Sequence, residues 1–432
     1  MSASALYFPV TFPRHAPAMT VPLSTLTRTF ARIGVLSFGG PAAQIALMHE
    51  ELVERRAWLT EKQYLSALSF CMMLPGPEAM QLCTYAGWRL RGVLGGLIAG
   101  TLFVLPGALV VLALALAYAT WGQVPLVQSL FLGIQAAVVV IVVQALIKVA
   151  KRAFGPGYMA EGAALAALAF LAIYALRLPF PLIIAGAALW GAFRSTTRAD
   201  TPAPLLPPGT ARRTALTVVI FLTFWAAPFA LLTHSDLLTQ LGLFFSKLAV
   251  VTFGGAYAVL AYMTQEVVGT HGWLTTPEMI DALGLAETTP GPLILVTEFV
   301  ATLAGAKVST ANALAAAALT LWVTFIPCFL WIFAGAPYLE WLTHQPRLSG
   351  ALRAITAAVV GVIANLSLWF ALHVLFAEVH TTGPALPVLS TAQPLAFALT
   401  ALAALLLLAL RLGMATTLAL MALAGLATSL LG

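Results

Sequence analysis

The chain has 432 residues, 61% of them hydrophobic and only 8% charged, with a net charge of +6. A soluble domain carries about 25% charged residues, so this composition excludes a soluble globular protein. No basic run is interleaved with aromatic residues, so no nucleic-acid partner is implied.

In chain order, residues 1–22 hold four prolines and no continuous apolar core, so they are expected to form a cytoplasmic tail rather than a secretory signal. Segments 93–118, 124–147, 216–233 and 308–339 are uncharged and each is roughly 20 residues or longer, enough for a helix to cross hydrocarbon. The expected fold is all-α: a polytopic integral membrane protein. Cys71, Cys83 and Cys328 stand in apolar sequence without CxxC spacing, so neither a disulfide framework nor a metal site is expected, and no cofactor is called for.

The chain also repeats itself. At an offset of 215 residues, Phe38, Gly39 and Gly40 meet Phe253, Gly254 and Gly255. Trp58, Leu59 and Thr60 meet Trp273, Leu274 and Thr275, and Pro75, Gly76 and Pro77 meet Pro290, Gly291 and Pro292. Arg32 meets Lys247; after a slip of about six residues, Pro106 meets Pro327 and Pro125 meets Pro346. The expected organisation is a first repeat over 23–193, a Pro-rich cytoplasmic linker over 194–213, a connecting transmembrane helix over 214–233 and a second repeat over 234–432.

Of the 21 Lys and Arg, 16 lie at or before Arg213. The basic clusters at 148–152 and 88–91 lack counterparts in the second repeat, whereas Arg347 and Arg353 fall where the first repeat is neutral. By the positive-inside rule this swap predicts inverted topology, with the N-terminus in the cytoplasm and the C-terminus in the periplasm. Each repeat opens with four helical pieces of about 12–16 residues, shorter than a ~30 Å core requires. Each pair of pieces therefore dips in and returns, or makes one broken crossing, giving roughly nine crossings with four re-entrant pairs or thirteen in all. Thr60 and Thr275, or their neighbours, are expected to cap the helices that follow.

Glycine bends the backbone and proline donates nothing, so Gly39, Gly40, Pro75, Gly76, Pro77, Gly254, Gly255, Pro290, Gly291 and Pro292 free polar backbone groups inside apolar sequence. Such groups survive at membrane depth only when buried in protein or lining a wet cavity. Each helix starting after a break points its N–H groups and positive dipole end inward, a site for an anion. Arg32 and Lys247, each seven residues before a Gly-Gly, are the candidate cations. Glu78, Glu287 and Glu298 flank the Pro-Gly-Pro breaks and are the candidates for carrying a coupling proton. Glu278 and Asp281 are expected at the membrane interface, and Glu51, Glu54, Arg55 and Arg56 in a solvated loop of local ion pairs.

The stretches "FGGPAAQIALMHEELVERRAWLT", "LPGPEAMQLCTYAGWRLRG", "FGGAYAVLAYMTQEVV" and "AETTPGP" resemble the chromate ion transporter family in its long two-domain form. The resemblance covers essentially residue 26 to the C-terminus and implies transport of chromate, a tetrahedral dianion similar to sulfate, usually as efflux across the inner membrane. It assigns the motif positions Gly39, Gly40, Pro75, Gly76, Pro77, Gly254, Gly255, Glu287, Pro290, Gly291 and Pro292. Glu78 departs from the small or polar residue expected after the first Pro-Gly-Pro. The expected partners are a small oxyanion and the bilayer, with a homodimer left open. Sulfate uptake and a passive anion channel are the alternatives. No HExxH, GxSxG or GxxxxGK[ST] motif is present, so an enzyme is not expected and pumping would use a gradient.

Overall fold

The computed structural model describes residues 21–431 except 39, 156, 196–208, 233–234, 254–255, 344 and 381–383. Residues 1–20 of the tail, most of the linker, and Gly39, Gly254 and Gly255 thus lie outside the described residues.

The first half opens with α1 (Leu23–Leu36) and α2 (Gly40–His49), which continues as a π-helical turn, Glu50–Arg55. Next come α3 (Glu61–Cys71) and α4 (Glu78–Trp121), which folds at Arg91 and Gly92 into two arms, 78–90 and 93–121. Helices α5 (Pro125–Ala153), α6 (Met159–Tyr174) and α7 (Phe180–Arg194) complete it, and α8 (Thr210–Ala226) follows. The second half begins with α9 (Asp236–Val251) and α10 (Ala256–Thr264), again continued by a π-helical turn, Gln265–Thr270. It goes on with α11 (Thr276–Thr288), the 3-10 turn Leu293–Leu295, α12 (Val296–Ala306) and α13 (Thr310–Gly335). The short α14 (Leu339–Thr343), then α15 (Pro346–Leu375), α16 (Pro394–Ala404) and α17 (Met414–Leu431) end the chain, with a small hairpin of β1 (Val379–His380) and β2 (Leu386–Pro387) before α16.

Local chemistry sets these boundaries in the same way in both halves. Thr60 and Thr275 each close a capping box: the hydroxyls accept from the N–H groups of Gln63 and Glu278, whose side chains accept from the threonine N–H groups. Pro125 and Pro346 each open a long helix at a position that needs no N–H donor.

The short helices turn back rather than continue. Arg32 Nε lies 3.9 Å from Glu51 Oε1, although the intervening residues laid out as one helix would separate their backbones by roughly 28 Å. Likewise Lys247 Nζ sits 5.4 Å from the Tyr262 ring, and Phe70 and Tyr85 bring their rings to 6.3 Å. Lys307, after the end of α12, donates to Trp273 O at 2.8 Å and to Glu278 at 2.7 Å, at the start of α11. Four hairpins result: α1–α2, α3 with the first arm of α4, α9–α10, and α11–α12. Broken pairs running straight through the membrane, one of the two arrangements the sequence allowed, are therefore not what forms.

Among the described residues five helices are long and apolar enough to cross a membrane, at 78–121, 125–153, 210–230, 310–338 and 346–375. In lipid there is little hydrophobic drive between helices, so contact relies on small residues and hydrogen bonds. A Cβ placed on Gly133 of α5 would lie 1.7 Å from Met421 O of α17, so only glycine permits this crossing. Helix α8 buries none of its residues; it is fastened to α13 by Trp225 Nε1 donating to Val323 O (3.0 Å) and Trp322 Nε1 donating to Phe224 O (2.7 Å).

Two sequence expectations are corrected. Glu51, Glu54 and Arg55 lie in a π-helical turn with Arg56 just past its end, and Glu51 is buried under Arg32, Arg55 and Arg56 rather than solvated. Asp281 is buried inside the helix bundle rather than interfacial, because α11 lies against α4 and α5 on that face.

Candidate functional site

Each Pro-Gly-Pro keeps one backbone N–H in three residues, and in each half that N–H crosses to the other half. Gly76 N–H donates to Thr252 O at 3.0 Å, and Gly291 N–H donates to Ser37 O at 2.8 Å. Ser37 and Thr252 are themselves equivalent, immediately preceding Phe38 and Phe253. Both turn their hydroxyls back onto a carbonyl four residues earlier, Ile33 O (2.6 Å) and Leu248 O, leaving the main-chain carbonyl to accept the glycine.

Both glycines hold positive φ, +114° at Gly76 and +86° at Gly291, so the turn itself selects them. A Cβ on Gly76 would meet Cys328 Sγ at 2.9 Å, and one on Gly291 would meet Leu295 Cδ1 at 3.0 Å and Gly107 Cα at 3.4 Å. Gly107 and Cys328 follow Pro106 and Pro327 on the long helices α4 and α13. Each tip therefore rests on the proline-bearing long helix of the opposite half. Ser37 with Gly291 and Thr252 with Gly76 thus form two crossed pairs, and helices begin nearby at Gly40, Glu78, Ala256 and Val296.

Two glutamines line the tips. Gln44 Nε2 donates to Gly291 O at 2.6 Å, and Gln81 Nε2 donates to Pro75 O at 2.7 Å; both side-chain carbonyls are buried without a donor. The acids sit apart from one another. Glu287 is buried and accepts from Tyr257 Oη at 2.9 Å, with its second oxygen unpartnered, and Lys148 supplies the nearest opposing charge. Glu298 is 1% exposed and also has an unpartnered oxygen. Glu78 is half-buried at the start of α4, and Arg152 is the cation acting on it. Arg32 and Lys247 occupy equivalent places on the stems of their hairpins, Arg32 against Glu51 and Lys247 over Tyr262; both are exposed and neither reaches a tip.

Sequence alone gave no role to Gln44, Ser37, Thr252 or Tyr257, placed Lys148 only in a basic cluster and set Asp281 at the interface. Ser37 and Thr252 had a usable signal, being equivalent polar residues beside the Gly-Gly breaks; the others are unmatched across the repeat. Asp281 accepts from Tyr118 Oη at 2.6 Å and from Gln135 Nε2 at 2.7 Å, tying α11 to α4 and α5.

At the mouth of the α11–α12 hairpin, burial alone would raise the pKa of Glu278. The hydrogen bond from Lys307, the Thr275 N–H and the Lys307 charge outweigh it and hold the carboxyl below the usual range. A depressed carboxylate contributes stability above its unfolded pKa of about 4.3 and loses it as pH falls through the folded value. Glu278→Gln should therefore lower Tm at pH 7, with the gap to the parent closing at more acid pH than about 4; a gap independent of pH would remove the ion pair from the hairpin's stability.

Folded-back helices meeting tip to tip beneath long apolar helices define a membrane protein of the broken-helix transporter class. The chain belongs to the chromate transporter family, whose model matches residues 24–192 and 239–428. It is 31% identical over 349 residues to a chromate transport protein of Cupriavidus metallidurans, covering 81% of this chain and 82% of that protein. It is 32% identical over 356 residues to a chromate transport protein of Pseudomonas aeruginosa, covering 80% of each, and 31% identical over 353 residues to a probable chromate transport protein of Synechococcus elongatus, covering 79% and 83%. No solved structure matches the chain.

Proposed function

We propose that this protein is a secondary transporter that moves chromate outward across the inner membrane. The reciprocal hydrogen bonds of Gly76 to Thr252 and of Gly291 to Ser37 carry the reading, together with relatives that are chromate transport proteins. Two repeats, 23–193 and 234–432, lie inverted about the crossed tips, the first joined to the second by the cytoplasmic linker 194–213 and the connecting helix 214–233. The N-terminus is cytoplasmic and the C-terminus periplasmic.

Separating one glycine N–H from its carbonyl uncovers an inward-pointing helix start, where N–H groups and the dipole favour a dianion. The crossed pair stays closed meanwhile, so the site faces one side at a time. Gly39, Gly40, Pro75, Gly76, Pro77, Gly254, Gly255, Pro290, Gly291 and Pro292 shape that site, and Arg32 and Lys247 on the hairpin stems draw the dianion toward it. Glu287 and Glu298, each with one buried oxygen that lacks a donor, and Glu78 are the proton-coupling candidates. An inside-negative potential favours export by about 2.3 kcal/mol per charge per 100 mV.

Purified protein in vesicles, with chromate, sulfate and the pH gradient varied independently, tests this. The expected result is saturable chromate flux that responds to the imposed potential and pH gradient. Flux that never saturates and ignores pH would make it a channel; sulfate flux without chromate flux would change the substrate.

A further inference from the structure

The crossed backbone bonds are symmetric, but the side chains around them are not. On the α11–α12 hairpin, Gln44 of α2 donates to Gly291 O at 2.6 Å and reaches Ser37 O at 3.4 Å, bridging both sides of the crossing bond. Halfway along the same hairpin, Asp281 accepts from Tyr118 and Gln135, residues of the first half 163 and 146 positions away in sequence. Gln44 and Asp281 are 1% and 5% exposed, so neither set of bonds competes freely with water.

The equivalent positions are unable to repeat this. At the offset of 215, Gln44 corresponds to Val259, which has no donor, and Asp281 to Ser66, which has no charge. Gln81, at the tip of the α3–α4 hairpin, bonds to Pro75 O within its own hairpin and does not cross.

We propose that Gln44 and Asp281 are positioning residues that lock the α11–α12 hairpin against the first half, so that the α3–α4 hairpin opens first and the two openings occur in a fixed order. This rests on the alternating-access reading above. A hydrogen bond to a charged group is about twice as strong as a neutral one, and a buried one resists local opening. The locked hairpin is therefore the slower of the two, and its release limits the second half of the cycle.

Hydrogen–deuterium exchange of the full-length protein in lipid nanodiscs, without substrate, reads this directly. Residues 288–297 should exchange at least about tenfold more slowly than residues 73–82. Gln44→Met keeps the side-chain length but removes the donor, and Asp281→Asn removes the charge. Each should speed exchange at 288–297 and leave 73–82 unchanged. Equal exchange of the two segments in the parent protein, which needs no variant to fold, overturns the lock. So does a variant that speeds both segments alike, the behaviour of a merely structural residue. Chromate flux in the same preparations separates the two ideas: unequal exchange without flux rejects the transport reading and keeps the lock, whereas flux with equal exchange rejects only the lock.

Discussion

Gly107→Ala is expected to cut chromate transport sharply while leaving the protein in the membrane at normal levels. The added Cβ would stand 2.2 Å from Pro290 O and 2.7 Å from Leu295 Cδ1. The leucine end can rotate away, but the carbonyl belongs to the tip of the α11–α12 hairpin and has little freedom. Its neighbour Gly291 donates to Ser37 O at 2.8 Å and accepts from Gln44 at 2.6 Å. Relieving the clash means lifting the tip off α4, which breaks the crossing bond. Overpacking of this kind costs about 1–3 kcal/mol, a large share of the difference between two alternating states but small against the stability of the whole bundle. Flux into vesicles should fall by about five- to 150-fold, the factor that 1–3 kcal/mol corresponds to, with membrane levels read by immunoblot. Gly186→Ala on α7 is the control, because a Cβ there meets nothing within 4 Å. Full flux in Gly107→Ala would show that the tip contact is slack and has no part in the cycle.

Glu51→Ala should have the largest effect on stability. Glu51 is 1% exposed, and its two oxygens meet Arg55 Nη1 at 2.9 Å, Arg56 Nη1, and Arg32 Nε at 3.9 Å. Removing it takes away the carboxylate shared by three guanidinium groups, leaving Arg55 held by Glu50 alone at 2.6 Å. Breaking a fully buried pair costs about 3–5 kcal/mol. Here the arginine side chains are 27% to 53% exposed, so water recovers part of that, leaving about 2–3 kcal/mol. The expected outcome is a clear loss of Tm in detergent, partly reversed by Glu51→Gln, which keeps two polar atoms in place. An unchanged Tm for Glu51→Ala would mean that the guanidinium groups are already satisfied by solvent.

Much of this was legible before any coordinates. Thr60 and Thr275 announce helix starts because a capping box is complete within four residues. Pro125 and Pro346, noted in sequence only as a matched pair, each open a long helix, as a fixed φ at the first position allows. The apolar runs give the all-α membrane class, and the paired motifs locate the breaks. Glu51 and Asp281 were misread for one shared reason. A carboxylate looks solvated from its neighbours in sequence, and only the packing of another helix reveals that it is buried. The guanidinium groups over Glu51 come partly from α1, and the donors to Asp281 come from α4 and α5.

Propensity, capping and proline act over a few residues and need no partner, so the elements and their interruptions follow from local sequence. The sequence by itself also supplied the 215-residue correspondence that makes Gly76 and Gly291 equivalent. The tertiary structure alone decided that the broken helices fold back and where their freed backbone groups go. Pro-Gly-Pro fixes the supply of one N–H per tip but says nothing of its acceptor. The acceptors, Thr252 and Ser37, are set by two hairpins packing across each other, a long-range choice that no local signal encodes.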